Sequence, residues 1–372
     1  MKNYQSTTDG LQKRNTLAYH YIHWLNKTKE NVIAHAYHDW GKRSYFKTTC
    51  NKHGGRGESY KPRFQNFDWT IRFYDEHDDT LLAAYQYLCV KDDSFVVELY
   101  KEGNDYKIGI AAFPKDGTLK RPIYVIGHRC NDIEDVEKAF ENKANAVECD
   151  VWRDDDDVWW VNHDKFRTTK LPDWLDEAKR IADIKGENFA LIIFDIKTAE
   201  KLGSLKTEIN KKLPSDLNVL YSVPTLDDAN AFNEIKNNLS EHEGVAIDYE
   251  DSPEDVQRFF EDNMIKNCWY GIGINVAFPD SEIHRTALKT AGLIRNLNKR
   301  IKKTYIWTIE LKETMGDYLY LEDVDGMITN CGAATRPDFV DHARKIIDNS
   351  PALRMAARRD KAFEVFEYKK PV

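Results

Sequence analysis

Glu148 and Asp150 stand two residues apart in an apolar run, Ala146-Val147-Glu148-Cys149-Asp150-Val151. Residues i and i+2 of a strand point to one face, so both carboxylates can reach a single cation. Asp195, closing the next apolar run, offers a third oxygen ligand. A few hard oxygen donors, with water completing the shell, suit Mg²⁺. Two histidines close apolar runs beside these acids, His128 in Gly127-His128-Arg129 and His163 in Val161-Asn162-His163-Asp164. An imidazole exists in both forms near neutral pH, so a pair flanking a phosphate can divide the work. One ring takes a proton from the attacking hydroxyl and the other serves the leaving group. Lys197 and Arg129 would neutralise charge growing on the phosphate oxygens. Each residue also has a plainer reading, as a polar strand end or a salt-bridge partner. Acids, imidazoles and cations together at the ends of three successive strands argue against it.

Such side chains need a scaffold that gathers strand ends. Short apolar runs lie at 123–126, 146–151, 190–195, 217–221, 245–248, 270–275, 305–309 and 326–329. Helix-patterned segments separate them, at 132–141, 175–183, 201–212, 226–239, 253–263, 282–298 and 314–321. Repeated strand-then-helix units mean a parallel sheet. Eight of them over roughly 250 residues match a (β/α)8 barrel, whose chemistry sits at the C-terminal strand ends. An open doubly wound sheet is the main rival, and no glycine-rich dinucleotide turn follows the first run to support it. His128, Glu148, Asp150, Asp195, Lys197, Glu310 and Asn330 all fall at C-terminal ends. Tyr305 and Trp307 lie on the seventh run, where Trp307 either lines the cavity or caps the core.

The chain has 372 residues, room for two domains or for a barrel with an appendage. Hydrophobic residues make up 41% and charged residues 31%, a globular composition that excludes disordered and fibrous classes. No stretch approaches the roughly 20 apolar residues that span a bilayer, and the first residues carry no apolar signal core. The six cysteines include no C-x-x-C pair of a zinc or redox site. Residues 1–120 hold 18 Lys and Arg against 15 Asp and Glu, whereas residues 121–372 hold 36 against 47. That acidic surplus argues against nucleic acid as a partner and suits a divalent metal.

Residues 1–120 show runs at 69–74, 81–90, 94–100 and 106–113 between turn clusters, a β-meander pattern, with 114–118 as the linker. The expected architecture is therefore α/β, a (β/α)8 TIM barrel over 121–372 preceded by a β-rich, sandwich-like domain over 1–118. Asp154 to Asp157 reads as a solvated turn before a hairpin, with Trp159 and Trp160 an alternating buried and exposed pair. The N-terminal histidines have no cysteine or acid in register to complete a metal site.

In order, His128-Arg129, then Glu148-Cys149-Asp150-Val151, His163-Asp164 and Asp195-Ile196-Lys197 resemble the glycerophosphodiester phosphodiesterase superfamily. Phe194-Asp195-Ile196-Lys197-Thr198, Trp307-Thr308-Ile309-Glu310 and Asp325-Gly326-Met327-Ile328-Thr329-Asn330 are similar to one branch, the sphingomyelinase D/phospholipase D toxins of recluse spiders and their bacterial and fungal relatives. Gly127-His128 followed by Asn131 matches that branch too. The resemblance implies one Mg²⁺ at Glu148, Asp150 and Asp195, catalytic histidines at His128 and His163, and substrate contacts from Arg129, Lys197, Tyr305, Trp307 and Asn330. It implies a lipid substrate at a membrane surface, sphingomyelin, ceramide phosphoethanolamine or a lysophospholipid. It also implies release of the head group by attack of the lipid's own hydroxyl, a cyclic phosphate product, and a secreted protein. Several features depart from the branch, among them Arg129 and Asp164, which lean toward the ordinary phosphodiesterases. Residues 164–170 contain no cysteine, so the toxins' disulfide-bridged loop is missing, and Glu310 stands where they usually have Asp. The tail 355–360 faintly resembles the segment that plugs the toxin barrel. A second resemblance, carried by Tyr21, Asn26-Lys27-Thr28 and Trp40-Gly41-Lys42, is to aegerolysins, β-sandwich proteins that bind sphingolipid-containing membranes. The other readings are a hydrolase of soluble glycerophosphodiesters and a catalytically silent lipid-binding protein.

Overall fold

Alternating apolar residues in the first part of the chain build two small sheets. Their strands are β1 (Tyr19–Asn26), β2 (Val32–His38), β3 (Ser44–Cys50), β4 (Gly55–Pro62), β5 (Phe67–Asp75), β6 (Leu81–Cys89), β7 (Phe95–Glu102) and β8 (Asp105–Ala112). The sheet orders are β4-β1-β7-β8 and β3-β2-β5-β6. Val32 and Ala34, Ile71 and Phe73, and Val97 and Leu99 repeat with the period of two that places side chains on one face, and with Trp24 they form a buried core drawn from both sheets. The computed structural model describes residues 19–26, 28–38, 44–50, 55–62, 67–89, 95–112, 120–248, 251–273, 281–320, 324–332, 336–350 and 353–366. Trp40-Gly41-Lys42 and the linker 114–118 lie outside the described residues.

The remainder follows the strand-then-helix rhythm. It comprises β9 (Arg121–Gly127), α1 (Ile133–Glu141), β10 (Ala146–Arg153), the short strands β11 (Trp159–Val161) and β12 (Thr169–Lys170), α2 (Leu171–Lys185), β13 (Leu191–Ile196) and α3 (Leu202–Lys212). Then come β14 (Asn218–Val223), β15 (Glu243–Ile247), α4 (Pro253–Asp262), β16 (Cys268–Gly273), α5 (Glu282–Asn296), β17 (Ile301–Trp307), α6 (Lys312–Tyr320), β18 (Gly326–Thr329), α7 (Val340–Asp348) and β19 (Leu353–Met355). The parallel strands run β10-β13-β14-β15-β16-β17-β18-β9, and β9 pairs back to β10, so the sheet closes into the expected eight-stranded barrel.

Strand residues facing the helices and strand residues facing the barrel axis form separate apolar clusters, as burial on both faces of a parallel sheet requires. Helix ends follow local chemistry. Pro253 occupies the first turn of α4, and the Ser252 hydroxyl accepts from the Asp255 N–H at 3.1 Å. The segment 226–239, expected as an α-helix, is instead a 3-10 helix over Asp228–Glu234. Its asparagines explain the difference. Asn230 Nδ2 donates to the Asp227 carbonyl and Asn233 Nδ2 to the Asn230 carbonyl, each at 3.1 Å, so side-chain amides occupy carbonyls that a longer helix would use.

The lower end of the barrel is filled from the C-terminus. β19 pairs in parallel with Arg121–Ile123 of β9, and the turn after it carries Ala356, Ala362 and Phe363 into the axial core. Trp269 Nε1 donates to the Ala362 carbonyl at 2.8 Å, Asn145 Nδ2 to the Ala356 carbonyl at 2.8 Å, and Asn218 Nδ2 to the Arg358 carbonyl at 3.1 Å. Residues 356–363 thus close the lower end of the barrel.

Candidate active site

The inward-facing positions change character as each strand climbs. Ile126 gives way to His128, Ala146 to Glu148 and Asp150, Leu191 and Ile193 to Asp195 and Lys197, Ala246 to Asp248, Tyr305 to Trp307, and Ile328 to Asn330. A period of two aims each upper residue at the same axis as the apolar residue below it. The barrel floor therefore sets the direction of the polar ring above. His128, Arg129, Glu148, Asp150, His163, Asp195, Lys197 and Trp307 together line one cavity of about 110 Å³ at the C-terminal end. Asn330 lies behind His128, while Tyr305 is wholly buried beneath the cavity, its hydroxyl bonded to Asp248 and Ser222.

Asp150 and Asp195 are register partners on adjacent strands, and one oxygen each from Glu148, Asp150 and Asp195 falls within 4.8 Å of the others. Among the described residues this is the one cluster of at least three His, Cys, Asp or Glu side chains that could hold a metal. Neighbours fix each carboxylate. The Arg129 N–H donates to Glu148 Oε2 at 2.6 Å, an orientation made by a left-handed turn at Arg129, φ 51°. Asn131 clasps Asp150 from both sides, its Nδ2 donating to Oδ2 and its Oδ1 accepting from the Asp150 N–H, both at 2.8 Å. Lys197 Nζ lies 2.6 Å from Asp195 and 3.0 Å from Asp150.

Burial, then the charges of Asp150 and Asp195, push the Glu148 carboxyl well above the usual range, and burial raises Asp195 against the pull of Lys197. Three carboxyls held together, Glu148 and Asp150 buried and Asp195 half-buried, with one ammonium between two of them, remain short of positive charge. That donor set fits a hard divalent cation.

The two histidines are held differently. Glu310 Oε1 accepts from Asn330 Nδ2 at 2.7 Å, and an ionised carboxylate only accepts, which leaves Asn330 Oδ1 to face His128 Nδ1 at 3.0 Å. His128 therefore carries its proton on Nδ1, and its bare Nε2 receives the Thr308 hydroxyl at 3.3 Å inside the cavity. Burial lowers His128 to about 4, so the ring is neutral at pH 7. His163 Nδ1 faces Asp164 Oδ1 at 2.7 Å, and Arg129 Nη2 lies 2.6 Å from His163 Nε2. The Asp164 carboxyl is in turn held below its usual range by His163.

Asp248, on the opposite wall from His128 and at the top of β15, was not singled out in the sequence. Its Oδ2 accepts from the Tyr305 hydroxyl at 2.8 Å, and its carbonyl accepts from Trp307 Nε1 at 2.5 Å. Burial, then the Asp195 charge, lifts it to about 7. The rule that found Asp195, an acid closing an apolar run, would have found Asp248 as well.

The pattern that defines the family described as "Dermonecrotic toxin SPH" matches residues 118–363. The chain belongs to that family. One relative is "Dermonecrotic toxin Hl-PLD1" of Hemiscorpius lepturus, 28% identical over 251 residues that cover 57% of this chain and 76% of that protein. Another is "Sphingomyelinase D" of Uncinocarpus reesii, 28% identical over 144 residues, 34% of this chain and 40% of that protein. Among solved structures, an Oleispira antarctica phosphodiesterase in complex with sn-glycerol-3-phosphate aligns over 60% of this chain and 96% of its own, with 13% identity and a TM-score of 0.44. As a member of this family, the chain is an enzyme of the phosphodiesterase kind.

Proposed function

We propose that the protein is an Mg²⁺-dependent phospholipase D-type enzyme that cleaves the head group from a sphingolipid or lysophospholipid by transphosphorylation. The observation that carries this reading is the meeting of His128, His163 and Lys197 around the Glu148, Asp150 and Asp195 cluster in one cavity. Bound by those three carboxylates, Mg²⁺ supplies positive charge that draws electron density from the phosphate oxygens. Lys197 and Arg129 add fixed positive charge beside it.

His128 Nε2, bare and aimed into the cavity, takes the proton of the lipid hydroxyl as its oxygen bonds to phosphorus. The bond from phosphorus to the head-group oxygen breaks, and that oxygen takes a proton from His163 in its doubly protonated form, which requires the Arg129 guanidinium, now 2.6 Å from His163 Nε2, to turn from the ring to the phosphate. The product is a cyclic phosphate and a free head-group alcohol, and proton return between the rings resets the pair. Trp307 walls the cavity where a head group would sit. The N-terminal sandwich serves as a lipid-surface binder, raising the concentration of the barrel at its substrate, and the protein acts outside the cell at a membrane face.

The test uses lipid vesicles and follows free head group. His128→Ala and His163→Ala should each lower turnover by about 10²- to 10⁴-fold with co-sedimentation on vesicles unchanged. Turnover near wild type in either variant contradicts the assignment. Cleavage of soluble glycerophosphodiesters alone would replace the lipid reading.

A further inference from the structure

Behind the site, on the helix side of the barrel wall, lie two sulfurs that the proposed reaction does not use. Cys130 comes two residues after His128, Cys331 directly follows Asn330, and their Sγ atoms are 3.9 Å apart although 201 positions separate them. Both are buried and reduced. A Cβ on Gly127 would fall 3.0 Å from Cys130 Sγ and 3.3 Å from Cys331 Sγ, so the bare glycine leaves the space that the pair fills under the Gly127 to His128 peptide. The backbones on either side are anchored. The Cys130 N–H donates to the Glu148 carbonyl at 2.8 Å, the Cys130 carbonyl accepts from Trp174 Nε1 at 3.1 Å, and the Cys331 carbonyl accepts from Asn142 Nδ2 at 2.8 Å.

We infer that Cys130 and Cys331 are a reversible disulfide pair that ties the loop after the first barrel strand to the loop after the eighth, on the helix side of the strand end that carries His128. A peroxide is the oxidant. One sulfur attacks a peroxide oxygen, giving a sulfenic acid and water, and the second sulfur displaces a further water from it. Two thiols and one hydrogen peroxide thus give one disulfide and two waters, and a dithiol reductant reverses the change. Burial pushes the Cys130 thiol up, which makes the oxidation slow.

Bond formation brings the sulfurs to about 2.05 Å. The movement is passed to Arg129, whose N–H holds Glu148, and to Asn330, which holds His128. The oxidised protein therefore turns over several-fold more slowly and melts several degrees higher, because the first and last barrel strands are linked.

The experiment exposes the full chain to hydrogen peroxide, alkylates remaining thiols in denaturant, and maps peptides without reduction. The expected result is a Cys130 to Cys331 cross-linked peptide, a chain lighter by two hydrogen atoms, and recovery of both thiols with dithiothreitol. Cys331→Ala should give no such peptide. Alkylation of both cysteines after peroxide, or oxygen added to either one without the cross-link, overturns the inference. The mass readout needs no substrate, so it stands or falls apart from the lipid reading.

Discussion

A carboxyl lifted to about 7 at Asp248 has a consequence for folding as well as for the cavity. Its ordinary value is 3.8, so between about pH 4 and 7 the folded chain holds a proton that the unfolded chain has released. Stability from this group is full below that window and falls as pH rises through it, by at most ~1.4 kcal/mol per pH unit. Asp248→Asn should flatten the slope. Melting temperatures across that range, with chelator present, would show the wild type losing ground to the variant; parallel curves would refute the point. Glu310 offers a second test, since it acts only through Asn330 on His128. Glu310→Ala should lower kcat by roughly tenfold with KM little changed and shift the pH profile of kcat, as loosening a positioning contact does. Glu148, Asp150 and Asp195 were legible because spacing on strands states which residues share a face. The Glu310 to Asn330 and Arg129 to His163 contacts were not, because they join loops 20 and 34 positions apart, and nothing local encodes that distance.

At the scale of elements, all eight barrel strands were legible as apolar runs, since a strand buried on both faces must be apolar throughout. Helices were less so. The 226–239 segment has helical periodicity, but its asparagine side chains compete for backbone carbonyls, and α7 and β19 carried no comparable signal. Strand contacts also set what the site can tolerate. A Cβ on Gly273 would lie 2.3 Å from the Trp307 ring, so β16 must present hydrogen there for Trp307 to reach the cavity wall. Gly273→Ala should cost about 1–3 kcal/mol in urea unfolding and displace Trp307. Unchanged stability together with unchanged Trp307 fluorescence would contradict that packing.

For the whole molecule, the barrel, its plug and the sandwich form a chain of dependencies that composition alone does not show. Length and charge bounded the class, and the strand rhythm named the barrel, while the tail offered only a faint resemblance and its seat in the barrel floor is made by contacts. Phe363 packs on Trp269 with ring centroids 6.3 Å apart and closes the lower end below the polar ring. Phe363→Ala should destabilise the protein by about 3–5 kcal/mol. The unfolding midpoint checks it, and a change under 1 kcal/mol would mean that the tail is not part of the core. The sandwich adds two further sheets, and the proposed function gives them the task of holding the barrel at a lipid surface.

The most direct measurement is phosphorus NMR of sphingomyelin, ceramide phosphoethanolamine and lysophosphatidylcholine vesicles incubated with the protein, with and without a chelator. A cyclic phosphate resonance that grows with time from one of these lipids and is abolished by the chelator is the predicted result. Unchanged spectra for all three lipids in the presence of Mg²⁺ would contradict the proposed activity, and a linear monoester in place of the cyclic product would contradict its mechanism.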